Sequence, residues 1–328
     1  MDQLHNRITD VPGLRIGHAE DVRALTGVTV IYPDAPAVCG VDMRGGGPGT
    51  RETDALAPEN LVDAIDALVL SGGSVYGLGA ADGVVAKLGA LGRGFRLMDL
   101  PDIPRSPVVP AAILYDLANG GQKDWGVTPP YYELGKAALD RVTVEFALGA
   151  VGAGIGARAG QLRGGLGSAS QRTSEGIHVG AIVAVNCFGS VIMPGTDAFW
   201  AWPLEQNGEA GGYRPDPSLT VDGDDWGAAK ADPSGAMGRT NTTIACVATD
   251  VALTPAQAKR MAQMASAGLA RAIRPVFAPF DGDVVFALST AHQPLAEPSQ
   301  LTITRIGALA ADCLARAVMR GVYAAKDA

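Results

Sequence analysis

A mixed α/β fold, built from short strands alternating with helices and lacking a regular βαβ repeat, is what this sequence predicts. Two patterns and one compositional bias point to it. Runs of strand length and β-branched content recur along the chain, helical periodicities separate them, and the 43 glycines fall in clusters. With 328 residues, 47% of them hydrophobic, and a mean hydropathy of +0.15, the chain can bury one large core or two modest ones and reads as a compact globular enzyme.

The elements follow in order. Strands are expected over 28–32, 67–70, 142–146 and 182–185, and again over 244–248 and 284–288, each a short apolar run rich in Val and Ile. A helix over 74–91 places Val75, Leu78, Ala81, Val85 and Leu88 on one face. Thr254 and Pro255 form an N-cap followed by proline at the first helical position, opening a helix to about residue 273. The last helix, 304–325, is apolar almost all round, which predicts burial, with a subunit interface as one place for it. Glycine clusters at 45–49, 72–73, 152–160 and 164–167 suit tight turns or backbone brought close to a ligand or another backbone. Residues 202–240 are polar and rich in Pro and Gly, the composition of a long loop or flexible linker.

Composition also excludes. Aromatic residues make up only 5%, and no apolar segment is long enough to span a bilayer. The polar first residues lack an apolar signal region, so a cytoplasmic protein with no membrane partner is expected. Cys39, Cys187, Cys246 and Cys313 are far apart and sit among apolar neighbours, as reduced core thiols do. A net charge of -8 with scattered basic residues argues against a nucleic-acid surface and for a small-molecule or peptide partner.

The chemistry centres on Asn241-Thr242-Thr243, set before the apolar run 244–248. The plain reading is a β-strand that starts with two threonines. The chemical reading is a self-cleavage site. If the Asn241-Thr242 bond breaks, Thr242 carries both a hydroxyl nucleophile and a free α-amino base. That amine has a pKa of about 7.7 to 8.0, against about 10.4 for lysine, so it gives up its proton far more readily near neutrality. A flexible stretch ahead of Thr242 would let the new chain end withdraw. Downstream, Asp281-Gly282-Asp283 reads either as a turn before the strand 284–288 or as a pair of carboxylates that orient the nucleophile by charge-assisted hydrogen bonds. No histidine or third acid lies near them, so a metal site is disfavoured and no cofactor is expected. Gly152 to Ala157 loosely matches a dinucleotide-binding turn, but the acid expected about 20 residues on is absent. A Ser-His-Asp hydrolase lacks its G-x-S-x-G elbow, and His178 and His292 read as structural or surface residues.

Together the motifs resemble the DmpA/NylC family of DmpA-type aminopeptidases, β-peptidyl aminopeptidases and NylC-type nylon-oligomer hydrolases. The resemblance runs through Val41 to Thr53, Leu70 to Ser74 leading into Gly77 to Gly83, Gly152 to Ser170, and Asn241-Thr242-Thr243, and so covers nearly the whole chain. It implies a single hydrolase domain over 1–328 with an αββα sandwich similar to N-terminal nucleophile hydrolases. It implies autocleavage into chains 1–241 and 242–328 and assembly as a homotetramer. By motif, Thr242 is the expected nucleophile, Asn186 and Tyr115 the oxyanion partners, and Asp281 and Asp283 the acids that position the nucleophile. Asn186 ends an apolar strand, which suits either an oxyanion donor or a hydrogen-bonded strand end. Tyr115 suits either a site hydroxyl or a core aromatic. One departure stands out: where NylC-type members carry an active-site lysine, this chain has Gln161-Leu162-Arg163. Arg163 in that place would fix a carboxylate but could not act as a base. The expected substrates are short peptides or amino-terminated oligoamides, including 6-aminohexanoate oligomers. The rivals are a DmpA-type L-aminopeptidase/D-Ala-esterase, a β-peptidyl aminopeptidase, a nucleotide-binding oxidoreductase built on 152–160, and a non-catalytic binding protein on the same fold.

Overall fold

The computed structural model describes residues 4–98, 100–230 and 241–326. In chain order the elements are β1 (Leu14–Asp21), β2 (Thr26–Pro33), β3 (Val38–Met43), β4 (Thr50–Arg51), β5 (Leu68–Ser71), α1 (Gly79–Ala90), β6 (Ala111–Ile113), α2 (Tyr131–Asp140), β7 (Arg158–Ala159) and β8 (Leu162–Arg163). There follow β9 (Gly165–Arg172), β10 (His178–Asn186), β11 (Thr242–Val251), α3 (Pro255–Ala272), β12 (Val284–Gln293) and α4 (Ser299–Ala324).

Alternation along the central strands explains the architecture. In β11, Ile244, Cys246 and Ala248 face one apolar core while Ala245 and Val247 face another, and both sets are fully buried. The same division holds for Ile182 and Ala184 against Val183 and Val185 in β10, and for Val284, Phe286 and Leu288 against Val285 and Ala287 in β12. A strand apolar on both faces must be covered on both, and each buried Val, Ile or Leu contributes roughly 1.5–3 kcal/mol. Two five-stranded sheets result, in the orders β1-β2-β5-β6-β4 and β3-β12-β11-β10-β9. Ile16, Ile31, Leu68 and Leu70 of the first sheet meet the inner face of the second. Helices α3 and α4 cover the outer face of the second sheet. Helices α1 and α2 cover the outer face of the first, against Val28, Val30 and Val69. This is the four-layer αββα sandwich.

Local signals place the helices. Thr254 and Gln257 close a reciprocal capping box at the start of α3, and Pro255 takes its first turn. The helix expected over 74–91 is a 3₁₀ turn over Ser74–Leu78 followed by α1. Helix α4 begins one to two turns before the expected residue 304, and its burial comes from this chain itself, against α3 and β9 to β11. There Arg316, 1% exposed, forms a bidentate pair with Glu209 at 2.6 and 2.8 Å and donates to the Ser170 carbonyl and Asn6 Oδ1. Gly165 and Gly167 lie against Gly321 and Ala317, so that glycine cluster serves close packing of α4 on β9.

The expected strand over 142–146 does not form. Thr143 exchanges two backbone hydrogen bonds with Ile16, but Thr9 Oγ1 takes the next carbonyl, that of Val144, and Phe146 turns inward edge-on to His18. Residues 152–157 make a single 3₁₀ turn that runs on into β7 with no helix after it, which removes the basis of the dinucleotide reading. The loop expected over 202–240 has only a short 3₁₀ turn at Trp202–Leu204 among its described residues, and 231–240 lie outside them. Among the described residues no helix is long and apolar enough to cross a membrane, and no group of three or more His, Cys, Asp or Glu is placed to hold a metal ion. All four cysteines are buried free thiols, and burial raises their pKa values, so they stay protonated.

Candidate active site

Three strand ends of the second sheet meet at one point. Strand β10 runs antiparallel to β11 with Asn186 paired to Thr242, and β11 runs parallel to β12 with Ile244 paired to Val284. Continuing that parallel register by two residues sets Gly282 beside Thr242 and Asp283 beside Thr243. The contacts agree: a Cβ built on Gly282 would stand 2.8 Å from Thr242 Oγ1, and Asp283 Oδ1 accepts from the Thr243 amide at 2.7 Å.

Thr242 is 4% exposed, and its hydroxyl donates to the carbonyl oxygen of Asn241, the residue it would be cut from. Across the ladder, the Asn186 side chain is held on both ends. Its Oδ1 accepts from Asn119 Nδ2 at 3.1 Å and from the Arg158 amide at 2.9 Å, and its Nδ2 donates to the Tyr115 carbonyl at 3.0 Å. Tyr115 follows β6 of the other sheet and is half-buried, so the site lies where the two sheets meet. Its tie to Asn186 is through the main chain.

Asp281 and Asp283 are both buried. The glycines at 45–47 cradle their turn: Gly47 donates to the Asp281 carbonyl at 2.8 Å, and Arg44 and Gly45 donate to the Asp283 carbonyl. A Cβ on Gly45 would strike this backbone, so the first glycine cluster is there for close approach. Burial raises the pKa of Asp281, the nearby Asp283 carboxylate adds to the rise, and Lys230 with the Phe188 and Ala278 amides opposes it. Burial likewise raises Asp283, against the Thr243 and Phe277 amides. Asp281 Oδ1 makes no hydrogen bond among the described residues and is open to take a proton.

The sequence profile of Peptidase family S58 matches residues 6–328. The chain belongs to that family. An uncharacterized aminopeptidase of Mycobacterium tuberculosis is 43% identical to it over 98% of this chain and 94% of the relative. A 6-aminohexanoate-oligomer endohydrolase of an Agromyces species is 31% identical over 94% of this chain and 84% of the relative. Among solved structures, a β-aminopeptidase of a Burkholderia species superposes with a TM-score of 0.69 at 23% identity, covering 98% of this chain and 87% of that one. An L-aminopeptidase D-Ala-esterase/amidase from Ochrobactrum anthropi, described as a variant of the Ntn hydrolase fold, gives 0.65 at 22% identity, covering 98% and 86%. The αββα sandwich is thus that of the Ntn hydrolases, and this S58 peptidase is a hydrolase of peptide or amide bonds.

Of the residues singled out in the S58 peptidase sequence, Thr242, Asn241, Asn186, Tyr115, Asp281 and Asp283 converge at this point. Arg163 does not join them. It is exposed on β8 and lines a groove with Ile192, Phe199, Tyr213 and Tyr323, whose walls include none of the six. A cation near Asp281 is Lys230, whose Nζ donates to the Asn186 carbonyl at 3.3 Å, and whose pKa burial lowers to about 8. Lys230 and Asn119 were not singled out in the sequence. Both sit in loops, where no periodicity marks a residue.

Proposed function

We propose that this S58 peptidase is an autoprocessing N-terminal-threonine hydrolase that acts on short peptides or amino-terminated oligoamides. The observation that carries the reading is the buried Thr242 hydroxyl bonded to its own scissile carbonyl, between Asn186 and the acid pair.

In the uncut chain the Thr242 nitrogen is an amide and cannot act as a base. The hydroxyl proton passes to the carboxylate pair while Oγ1 adds to the Asn241 carbonyl carbon. The Asn186 side-chain amide, opposite Thr242 across the ladder, and Tyr115 are the groups assigned to the oxyanion, a kind of contact worth roughly 3–4 kcal/mol. Collapse expels the Thr242 nitrogen, which takes the proton back, and leaves an Asn241 ester on Oγ1. Water then cleaves that ester into chains 1–241 and 242–328. In the cut enzyme the free α-amine removes the hydroxyl proton, and Oγ1 attacks a substrate amide by the same steps. Two neighbouring carboxylates favour a substrate that brings an amino group. The endohydrolase and aminopeptidase names of the relatives support this substrate class.

Intact mass and denaturing electrophoresis after prolonged incubation test the reading. The expected result is two fragments divided between Asn241 and Thr242, with no division in Thr242→Ala. A fully active Thr242→Ala protein would remove the mechanism. A panel of 6-aminohexanoate oligomers, β-peptides, D-alanyl amides and L-aminoacyl amides then separates the nylon-oligomer, β-peptidyl and DmpA-type branches.

A further inference from the structure

Lys230, on the segment ahead of Asn241, is within electrostatic reach of Asp281. Residues 226–230 are strapped over the site by contacts on two sides. Gln161 donates from its backbone amide to the Ala228 carbonyl at 2.7 Å and from its side chain to the Ala229 carbonyl at 3.2 Å, while the Lys230 amide donates to the Phe188 carbonyl at 3.0 Å. Gly160, at φ +56, permits this crossing, because a Cβ there would collide with the Ala228 carbonyl. Phe188 packs edge-on to Trp226 of the strap at 5.9 Å and to Phe280, next to Asp281, at 4.9 Å. The strap, the end of β10 and the acid turn are therefore one packed unit, with the Lys230 Nζ set on the Asn186 carbonyl.

We propose that Lys230 is a positioning residue whose ammonium keeps the Asp281/Asp283 pair ionised in the uncut chain. The inference rests on the self-cleavage reading above. Two carboxylates buried side by side cannot both stay charged without an opposing charge close by. In the uncut chain the pair is the proton acceptor, so its ionised fraction sets the cleavage rate. The groups facing Lys230 are Asp281 from the acid turn, Cys187 beyond β10 and Arg158 of β7, and those facing Asp281 are Asp283 and Lys230. Arg158 repels Lys230, Cys187 is a protonated thiol, and Asp281 remains as the carboxylate that attracts the ammonium. Arg44, the other cation beside the acid turn, is paired with Asp42 at 2.7 Å.

The test is the pH profile of self-cleavage, followed by intact mass, for the wild-type chain and for Lys230→Gln, which keeps a donor for the Asn186 carbonyl but loses the charge. The acid limb of the Gln variant moves to higher pH by about one unit, so cleavage on that limb slows about tenfold, while rates above the limb agree. Lys230→Arg keeps the limb in place. A merely structural role would lower the rate equally at every pH, and an unmoved limb in Lys230→Gln overturns the proposal. If that variant does not fold, Lys230→Met is read the same way. A wild-type chain that never divides refutes the self-cleavage reading itself, whereas a wild-type chain that divides with a limb indifferent to Lys230 refutes only this inference.

Discussion

Asn186 stands directly opposite Thr242 across the β10–β11 ladder, and its side-chain amide is fixed at both ends by Asn119, Arg158 and Tyr115. Directly opposed residues put their side chains on the same face of a sheet. The ladder register thus brings the amide beside the hydroxyl, and the neighbouring loop residues orient it. Preorganised donors of this kind need no rearrangement as charge develops.

In the proposed mechanism the Asn186 contact strengthens only as the oxyanion forms, so Asn186→Ala is expected to lower kcat for amide hydrolysis by about 10² to 10³ with little change in KM. Steady-state kinetics on the processed enzyme checks this. Asn119→Ala leaves the Asn186 amide in place but less constrained, and a smaller loss is expected, about tenfold. Equal losses from the two would mean that Asn186 acts only as a structural link.

Gly282→Ala is expected to give a folded chain that does not divide. The added Cβ would lie 2.8 Å from both Thr242 Oγ1 and the Gly47 carbonyl, so the hydroxyl must turn away from Asn241. Intact mass reads the division, and circular dichroism confirms the fold. Division at the wild-type rate would show that the hydroxyl does not act from the position observed.

The acid pair is expected to make the chain's stability fall as pH rises. Burial raises both carboxylates above their unfolded values, so between the two values the native state holds more protons than the unfolded one. The slope of unfolding free energy against pH is therefore negative in that window: stability is full below the unfolded carboxylate pKa and is lost as pH rises through the folded one. Asp281→Asn is expected to flatten the slope and raise Tm near neutral pH, by roughly 1–3 kcal/mol of stability, while blocking self-cleavage. Thermal melts across pH 4 to 8, compared with Thr242→Ala as an uncut reference, check it. A Tm lower than the reference at neutral pH would mean that the pair stabilises the fold.

Much of this was legible in the sequence because it rests on strands. Residues 182–185, 244–248 and 284–288 are apolar on both faces, which demands cover on each side, and the site residues Asn186, Thr242 and Asp283 sit at or beside the ends of those same runs. The 142–146 segment misleads because β-branched content records only a preference, whereas a strand also needs a partner edge, and here only Thr143 finds one. Lys230 was hidden for a different reason. Its position comes from contacts of 226–230 with Gln161 and Phe188, which are distant in sequence, and a polar, turn-rich stretch carries no pattern from which such contacts are read.

Arg316 is the stability counterpart of these site residues. Its guanidinium is buried in α4 and joined to Glu209, Ser170 and Asn6, so it ties the N-terminal segment and the 205–212 loop to the helix. Arg316→Ala leaves the Glu209 carboxylate buried with Asn6, the Gln206 amide and the more distant Arg320 beside it, at 2.5, 3.2 and 3.4 Å. A loss of about 3–5 kcal/mol is expected, read as a lower denaturation midpoint at unchanged m-value. The double variant Arg316→Met with Glu209→Leu removes both charges and is expected to recover much of that loss, since the cost of the single variant lies mainly in the stranded carboxylate. If the double variant is as unstable as the single one, the pair contributes through its geometry, holding the N-terminal segment in place, and not through charge compensation.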